Sequence, residues 1–179
     1  MTIIVRDAMP DDLPSILSIY NDAVLNTPAV WTDRVSDLAE RQEWFSARTR
    51  AGFPVLVAEA SERVIGFSSF GDFRSWPGYL YTVENSVYVD PAFHRRGAAR
   101  ALLRALIERA IALEKHVIVA GIEASNEASL ALHRSEGFVQ HCRIPEVGCK
   151  FGRWLDLLLL SRKLDRRAGP GDAHRAAGS

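Results

Sequence analysis

The sequence predicts one α/β domain, an α+β mixed sheet with helices on both faces in three layers. Residues 84–100 are predicted to run from a strand through a basic loop into a helix, and an uninterrupted apolar strand follows at 117–122. Antiparallel hairpins are predicted on both sides of this strand–helix–strand unit. A chain of 179 residues is long enough to bury one sizeable core.

The elements before the central unit follow from periodicity and capping residues. Residues 3–8 are predicted to form a strand, and Asp11 to cap the first helix. The segment 26–33 is predicted to be a loop, and 36–50 a second helix. A hairpin follows over 55–73, where alternating apolar residues indicate two strands.

The elements after the central helix are a short helix and two strands. Ser125 is predicted to cap the helix at 126–136, which Gly137 ends. The strands are predicted at 138–144 and 154–164, with a loop between them. The single domain therefore spans 1–164.

The segment 165–179 is rich in Gly, Ala, Pro and Arg and has no apolar periodicity, so it is predicted to be a disordered tail.

Composition narrows the function classes. Lys and Arg together number 22, as do Asp and Glu, so no bulk field favours nucleic acid or an anionic membrane. No apolar run approaches a membrane span, and the N-terminal residues lack the features of a secretion signal. Cys142 and Cys149 are too few for a disulfide framework, and we expect reduced thiols in a cytoplasmic protein. No His or Cys cluster has metal-binding spacing, so we expect no metal.

The basic loop at 94–100 suggests a phosphate site. Asp90 and Pro91 end the preceding strand, and small residues then open the helix. A helix start offers free backbone N–H groups and a positive dipole end, and Gly97 lets an anion approach the backbone closely. The hypothesis is a pyrophosphate cradle. A solvated Arg-Arg-Gly turn is the alternative that the tripeptide alone leaves open.

This loop resembles the coenzyme A loop of the GNAT superfamily of N-acetyltransferases, Gln/Arg-x-x-Gly-x-Gly/Ala. Here His94 stands at the first position. A second resemblance is the run from Asn126 through Ser129 and His133 to Gly137 and Phe138. The resemblance implies acetyl-CoA as cosubstrate, bound by Val87, Tyr88, Val89, His94, Arg95, Arg96, Gly97, Ala98, Ala99, Arg100, Asn126 and Ser129.

The sequence is similar to the phosphinothricin and methionine sulfone acetyltransferase branch over about residues 3 to 164. That branch places His where most of the superfamily has a Tyr that protonates the leaving thiolate, which implies that His133 is the general acid. An imidazole has a reference pKa suited to that step. A satisfied histidine on a helix surface is the alternative for His133.

The same resemblance assigns Glu84 as general base, and the chemistry supports this independently. An ammonium group attacks a thioester only after it loses a proton, and a nearby carboxylate attracts the cation and accepts that proton. The main-chain N–H of Val87 is the predicted donor to the oxyanion. A surface charge at a strand end is the alternative for Glu84.

The resemblance implies a small amino-acid-like substrate, a detoxification role and a homodimer. The predicted substrate-binding residues are Trp31, Phe73, Arg74, Thr82, Val83 and Lys150. Arg74 is the leading partner for the substrate carboxylate, and Trp31 could instead pack its own loop down. Two rival functions remain at this point: acetylation of another amine (a protein N-terminus, a polyamine or an aminoglycoside), and a non-catalytic acyl-CoA sensor.

Overall fold

A seven-stranded mixed sheet forms the centre of the molecule. The computed structural model describes residues 2–170. The spatial order of the strands is β1-β2-β3-β4-β5-β7-β6. Only the β4–β5 pair is parallel, and the other neighbours are antiparallel. The strands are β1 (Ile4–Asp7), β2 (Val55–Ala60), β3 (Arg63–Asp72), β4 (Thr82–Val89), β5 (Val117–Glu123), β6 (Val139–Lys150) and β7 (Arg153–Lys163). The predicted mixed sheet is confirmed.

Helices cover the sheet in two layers, as predicted. They are α1 (Leu13–Asn26), α2 (Leu38–Arg50), α3 (Ala98–Ala112) and α4 (Glu127–Ser135). The larger core cluster lies where α3 packs on the sheet, around Leu102, Leu106 and Phe70. The smaller cluster joins α1 to β2 and β3 through Ile16, Val57 and Phe67. No helix within residues 2–170 is long and apolar enough to cross a membrane.

The strands β4 and β5 separate part-way along their length. They pair only from Thr82–Val117 to Glu84–Val119. Beyond that point β4 continues with β3 as far as Val89, and β5 continues with β7. We call this opening between residues 85–89 and 120–123 the β4–β5 fork.

The backbone of β4 presents unpaired groups to the β4–β5 fork. Phe73 N–H donates to the Thr82 carbonyl on the β3 side, whereas the Tyr81 carbonyl accepts from Val117 N–H on the β5 side. Because successive residues of a strand point their N–H and C=O groups to opposite sides, the odd-numbered residues of β4 face β5. The Val87 and Val89 backbone groups therefore face the fork.

Several predicted boundaries are wrong. The predicted loop at 145–153 is mostly strand, because β6 extends to Lys150. The hairpin then turns through only two residues, Phe151 and Gly152, which both have positive φ. Asn126, not Ser125, caps α4, since its side chain accepts from Ser129 N–H at 3.1 Å. The cap of α1 is Asp12 rather than Asp11, because a short 3₁₀ turn occupies 10–12.

The folded body extends past the predicted boundary at 164. Asp165 accepts from His116 at 2.7 Å, and Arg167 donates to the Glu114 carbonyl at 2.6 Å. These contacts hold the start of the predicted tail against the end of α3. Residues 171–179, the rest of that tail, lie outside the described residues.

Candidate active site

The loop between β4 and α3 has the geometry that the phosphate hypothesis requires. Gly97 has φ of 92°, a left-handed conformation that side chains rarely adopt, and no side chain caps α3. Among the described residues, no backbone N–H group of 95–100 has an acceptor. A Cβ placed on Gly97 would meet nothing within 4 Å, so the approach is open. The loop is therefore an exposed array of N–H donors at a helix start, which suits a pyrophosphate.

The side chains of this loop differ in how free they are. Arg95 and Arg96 are exposed, and the Arg96 guanidinium lies 5.4 Å from the Phe93 ring. Arg100 faces the buried Glu136, with Nε to Oε1 at 3.3 Å. His94 Nε2 lies 3.0 Å from the Val89 carbonyl. His94 therefore braces the end of β4 against the loop, which suits a residue that shapes the cradle.

Val83 and Tyr88 are placed differently from the sequence expectation. Val83 is 0% exposed in the core under α3, so its side chain has no access to a substrate. Tyr88 points to the opposite face of the sheet, where its ring stacks on Phe67 at 5.0 Å, and its backbone faces β3 rather than the fork. Burial raises the pKa of Tyr88 to about 12. Val87 and Val89 face the fork, and their contact with acetyl-CoA stays a prediction.

Glu84 lies where the fork begins. It is the last residue of β4 that pairs with β5, and its half-buried side chain reaches towards Gly121 on the neighbouring strand. A Cβ on Gly121 would stand 2.9 Å from Glu84 Oε1, so the missing side chain makes room for the carboxylate. Burial raises the pKa of Glu84, and the Arg74 guanidinium opposes this shift. A partly desolvated carboxylate of this kind is suited to accept a proton near neutral pH.

His133 reaches the fork through Asn85. The imidazole is buried, with Nδ1 at 2.9 Å from the Ser129 carbonyl and Nε2 at 3.1 Å from Asn85 Oδ1. The Asn85 amide is oriented by its own Nδ2, which donates to the Val119 carbonyl at 2.8 Å. Both ring nitrogens thus face oxygen acceptors. Burial nevertheless lowers the pKa of His133, and the hydrogen bond with the Ser129 carbonyl opposes this shift. An imidazolium with a lowered pKa releases its proton more readily, which suits a proton donor.

Asn85 is a site residue that the sequence reasoning missed. It is the first residue of β4 beyond the pairing with β5, and its side chain joins β5 to α4. Its only signal in the sequence is a polar residue on the strand face that otherwise carries Val83, Val87 and Val89. A half-buried amide among valines requires hydrogen-bond partners, and only the folded structure shows that β5 and His133 supply them.

Asn126 and Ser129 form the base of this network. The Asn126 side chain accepts from Ser129 N–H at the start of α4, and the Ser129 hydroxyl lies 3.4 Å from His133 Nδ1. Both residues are half-buried. They therefore fix the helix turn that carries His133.

The predicted aromatic and basic residues before β4 form a small cluster. The Arg74 guanidinium lies 4.6 Å from the Phe73 ring, which contacts Tyr79 edge to face. Arg74 is exposed and close enough to Glu84 to lower its pKa. Thr82 shares the sheet face of Glu84 and is half-buried. The structure thus brings Arg74, Thr82 and Glu84 together.

Lys150 and Trp31 lie at another wall of the molecule, where they hold the loop after α1. Lys150 is 3% exposed, and its ammonium group donates to the carbonyls of Val24, Thr27 and Val30 at 2.5, 2.7 and 2.6 Å. All three of its hydrogens are thereby used. The ammonium therefore holds the loop after α1, and the assignment of Lys150 to the substrate stays a prediction.

Trp31 packs on the same strand as Lys150. Its ring lies directly over Gly148, where a Cβ would come within 2.1 Å of the ring, and its Nε1 donates to the Pro28 carbonyl at 2.9 Å. The loop 26–33 is thus clamped onto β6 by an indole and an ammonium group. No group of three or more His, Cys, Asp or Glu residues that could hold a metal occurs within residues 2–170.

Comparison with known protein families identifies the family to which this sequence belongs. The sequence model of the acetyltransferase (GNAT) family matches residues 16–138. The chain belongs to the GNAT acetyltransferase family. This match spans the fork, the cradle and α4, and it confirms the family resemblance read from the two motifs.

Relatives within the GNAT family cover nearly the whole chain. An L-amino acid N-acyltransferase, MnaT, of Escherichia coli is 51% identical over 93% of this chain and 96% of its own length. An L-methionine sulfoximine/L-methionine sulfone acetyltransferase of Salmonella typhimurium is 50% identical over 93% and 97%. A phosphinothricin N-acetyltransferase of Alcaligenes faecalis is 36% identical over 90% and 82%. The predicted branch is confirmed.

A solved structure supports the fold. A putative acetyltransferase of Salmonella typhimurium, yncA, determined with its cofactor acetyl-CoA, is 49% identical and superposes with a TM-score of 0.93. The similarity covers 95% of this chain and 98% of that one. The three-layer arrangement predicted for this chain is therefore that of an acetyltransferase.

Proposed function

We propose that the protein transfers an acetyl group from acetyl-CoA to the α-amine of a small amino-acid-like substrate such as methionine sulfone, methionine sulfoximine or phosphinothricin. The observation that carries this proposal is the position of Glu84, half-buried at the mouth of the β4–β5 fork. The open array of N–H groups at 95–100 lies beyond the other end of β4. The relatives named above support the substrate class.

The residues present fit acetyl-CoA. The N–H groups of residues 95–100, with Arg95 and Arg96, would hold its pyrophosphate, and the backbone of Val87 and the N–H of Val89 would line its arm. When bound, acetyl-CoA supplies the acetyl thioester. Asn126 and Ser129 lie on the opposite side of the fork and complete the binding surface.

In the proposed mechanism the amine attacks directly in a ternary complex. Glu84 accepts the proton of the substrate ammonium, directly or through one water, because its raised pKa keeps it basic in a half-buried position. The Val87 N–H donates to the oxygen that gains negative charge. The Ser129 carbonyl holds Nδ1 of His133, and in this mechanism the Nε2–H is released from Asn85 Oδ1 and donates its proton to the thiolate. Arg74 pairs with the substrate carboxylate beside Glu84.

The experiment that tests this function measures free thiol released from acetyl-CoA by the purified protein. The amines are methionine sulfone, methionine sulfoximine, phosphinothricin, a polyamine, an aminoglycoside and an N-terminal peptide. Turnover confined to the first three is the expected result. Turnover of the other amines alone would contradict the substrate class, and tight acetyl-CoA binding without any turnover would support a sensor instead.

We expect the pH dependence of kcat/KM to depend on Arg74. Glu84 accepts a proton only when ionised, so activity rises with pH through its pKa, which burial places above the ordinary value. Arg74 opposes that shift, so Arg74→Gln is expected to move the rising limb to higher pH. The limb is measured with saturating acetyl-CoA between about pH 5 and 9. A limb that stays in place, or moves to lower pH, would contradict the pairing of Arg74 with Glu84.

We expect a homodimer formed through the β6–β7 edge. This edge exposes large apolar side chains, Val139 at 61%, Phe151 at 50% and Trp154 at 67%, on the last strands of the sheet. Sedimentation equilibrium at micromolar concentration is expected to give a dimer, and Trp154→Lys a monomer. The equally exposed Trp76, changed to Lys, serves as the control. A wild-type monomer over the whole concentration range would exclude this interface.

Detoxification and a cytoplasmic location belong to the same proposal. Acetylation turns a cationic α-amine into a neutral amide, which removes the group by which an amino-acid analogue is recognised. Cys142 and Cys149 are free and exposed, which supports a reducing compartment. Cells that express the wild-type protein, but not Glu84→Gln, are expected to survive methionine sulfoximine. Equal protection by both would contradict the role, and activity found in the medium would contradict the location.

A further inference from the structure

A second concave surface lies on the face of β4 that carries Glu84. It is a cavity of about 390 Å³ between α1, α2 and the sheet. Its floor is aromatic, with Tyr20, Trp44 and Tyr88, and its polar lining includes Ser86, Arg41 and Arg48. None of these residues has a role in the mechanism described above.

Arg41 is buried in this cavity without an anionic partner. Arg41 is 6% exposed, and its Nε has no hydrogen-bond partner in the structure. Within residues 2–170, no carboxylate lies within 4.0 Å of its guanidinium. The neighbouring Glu40 is paired instead with Arg34 at 2.7 Å. Burial of an unpaired cation costs free energy unless an oxygen acceptor forms hydrogen bonds with it.

Aromatic rings fix the orientation of this guanidinium. Its central carbon lies 3.8 Å from the Tyr20 ring centroid and 4.8 Å from that of Trp44. A guanidinium held by its faces presents its N–H edge, and that edge is the part that binds oxygen atoms. Arg48, whose Nε also lacks a partner, packs over Gly71, the cross-strand partner of Glu84. Two cationic side chains therefore line the cavity, with Arg48 nearer to Glu84.

The distance from Glu84 to the cavity matches the length of an amino-acid side chain. Ser86 lines the cavity and lies two residues beyond Glu84 on the same face, about 7 Å along the strand. In an extended methionine sulfone the amine nitrogen and the sulfur are about 5 Å apart, and the sulfonyl oxygens lie farther out. An oxidised tail on an amine held at Glu84 therefore reaches the cavity that Ser86 and Arg41 both line.

We propose that Arg41 is the specificity-determining residue for the oxidised tail of the substrate, the sulfonyl, sulfoximine or phosphinate oxygens, with Arg48 assisting at the entrance. This inference rests on the proposed function and extends it to the far end of the acceptor. The α-carboxylate is only one carbon from the amine, so it stays beside Glu84 and Arg74. The tail oxygens then accept a hydrogen bond from the unpaired Nε–H of Arg41, whereas the thioether of methionine leaves this group buried and unpaired.

The test compares kcat/KM for methionine sulfone and for methionine in the wild-type protein and in Arg41→Met. The wild type is expected to prefer the sulfone by at least about tenfold. Arg41→Met is expected to reduce that preference by about ten- to a hundredfold, mainly through loss on the sulfone, since a hydrogen bond to a charged group is lost only there. Arg50→Met, an exposed arginine on the same helix, is the matched control and is expected to keep the wild-type ratio.

The possible outcomes distinguish failure of the Arg41 site from failure of the proposed acetyltransferase activity. A wild type without preference for the sulfone, or an Arg41→Met protein that keeps the preference, would overturn the tail site while leaving acetylation intact. A wild type that acetylates neither amine would overturn the proposed function itself. Thermal denaturation and acetyl-CoA binding report whether Arg41→Met is folded. If it is not, Arg41→Lys gives the same comparison, with a reduced but surviving preference expected from its single point charge.

Discussion

Replacement of Glu84 with glutamine is expected to lower kcat by about 10²- to 10⁴-fold without lowering stability. The loss is the usual contribution of a general base. Stability behaves differently because burial raises the pKa of Glu84 in the folded state. The folded protein then binds more protons than the unfolded chain, so this carboxylate makes folding less favourable as the pH rises above its unfolded value. At pH 8 the neutral amide is therefore expected to leave the melting temperature unchanged or higher.

The control for this experiment is Glu108→Gln, which removes an exposed carboxylate from α3. It is expected to keep both activity and melting temperature. Steady-state thiol release and thermal denaturation at pH 5 and pH 8 separate the two effects. The catalytic assignment is contradicted if Glu84→Gln retains kcat within threefold. A large fall in melting temperature at pH 8 would instead make Glu84 a structural residue.

The predictable parts of the site are those carried by continuous segments. The cradle needs only a strand end, Gly97 and a helix start, all within the segment 84–100. His133 follows from its spacing to Asn126 on one helix. Local sequence also specified the sheet and its flanking helices, since strand and helix periodicities differ. Strand alternation separates the two faces of β4, but it does not show which helices, cavity or ligand each face meets.

The β4 and β6 residues that the structure places apart from the fork share one physical cause. The sequence predicts Val83 at the substrate and Tyr88 at the cosubstrate, but strand alternation sends Val83 into the core under α3. Tyr88 lies on the same face of β4 as Glu84, but its side chain faces α1 and the cavity that Arg41 lines rather than the fork. Lys150 was interpreted as a loop cation, whereas a long hairpin carries it to three carbonyls more than a hundred residues earlier in the chain. Such contacts depend on tertiary packing alone.

The residues that sequence reasoning missed are polar groups buried by tertiary structure. The sequence predicts Asn85 only as a strand residue, and nothing in it shows that β5 separates from β4 there. Arg41 and Arg48 lie seven residues apart on α2, on the stripe that also holds Trp44. Two cations on an apolar stripe are the one sequence feature that predicts a binding site for the oxidised end of the substrate, because a charged residue on a buried face requires a partner.

The second large effect is expected from Lys150→Met, which removes an ammonium group and keeps most of the apolar stem. The carbonyls of Val24, Thr27 and Val30 then lose their common donor in a buried position. Hydrogen bonds to charged groups contribute about 1.5–3 kcal/mol each, and partial resolvation of the loop reduces their sum. We expect a loss of about 3 kcal/mol in the free energy of unfolding, or about 6–12 °C in melting temperature for a chain of this size.

Hydrogen exchange shows whether this loss arises at the predicted place. Amides of residues 24–31 are expected to lose protection in Lys150→Met, together with those near Gly148 on which Trp31 packs. Lys163→Met, an exposed lysine on β7, is the control and is expected to change neither stability nor exchange. If Lys150→Met stays within 1 kcal/mol of the wild type, the ammonium does not hold the loop. A substrate-binding lysine would give a different pattern, a raised KM with unchanged stability, because its partner would be the substrate carboxylate rather than the protein backbone.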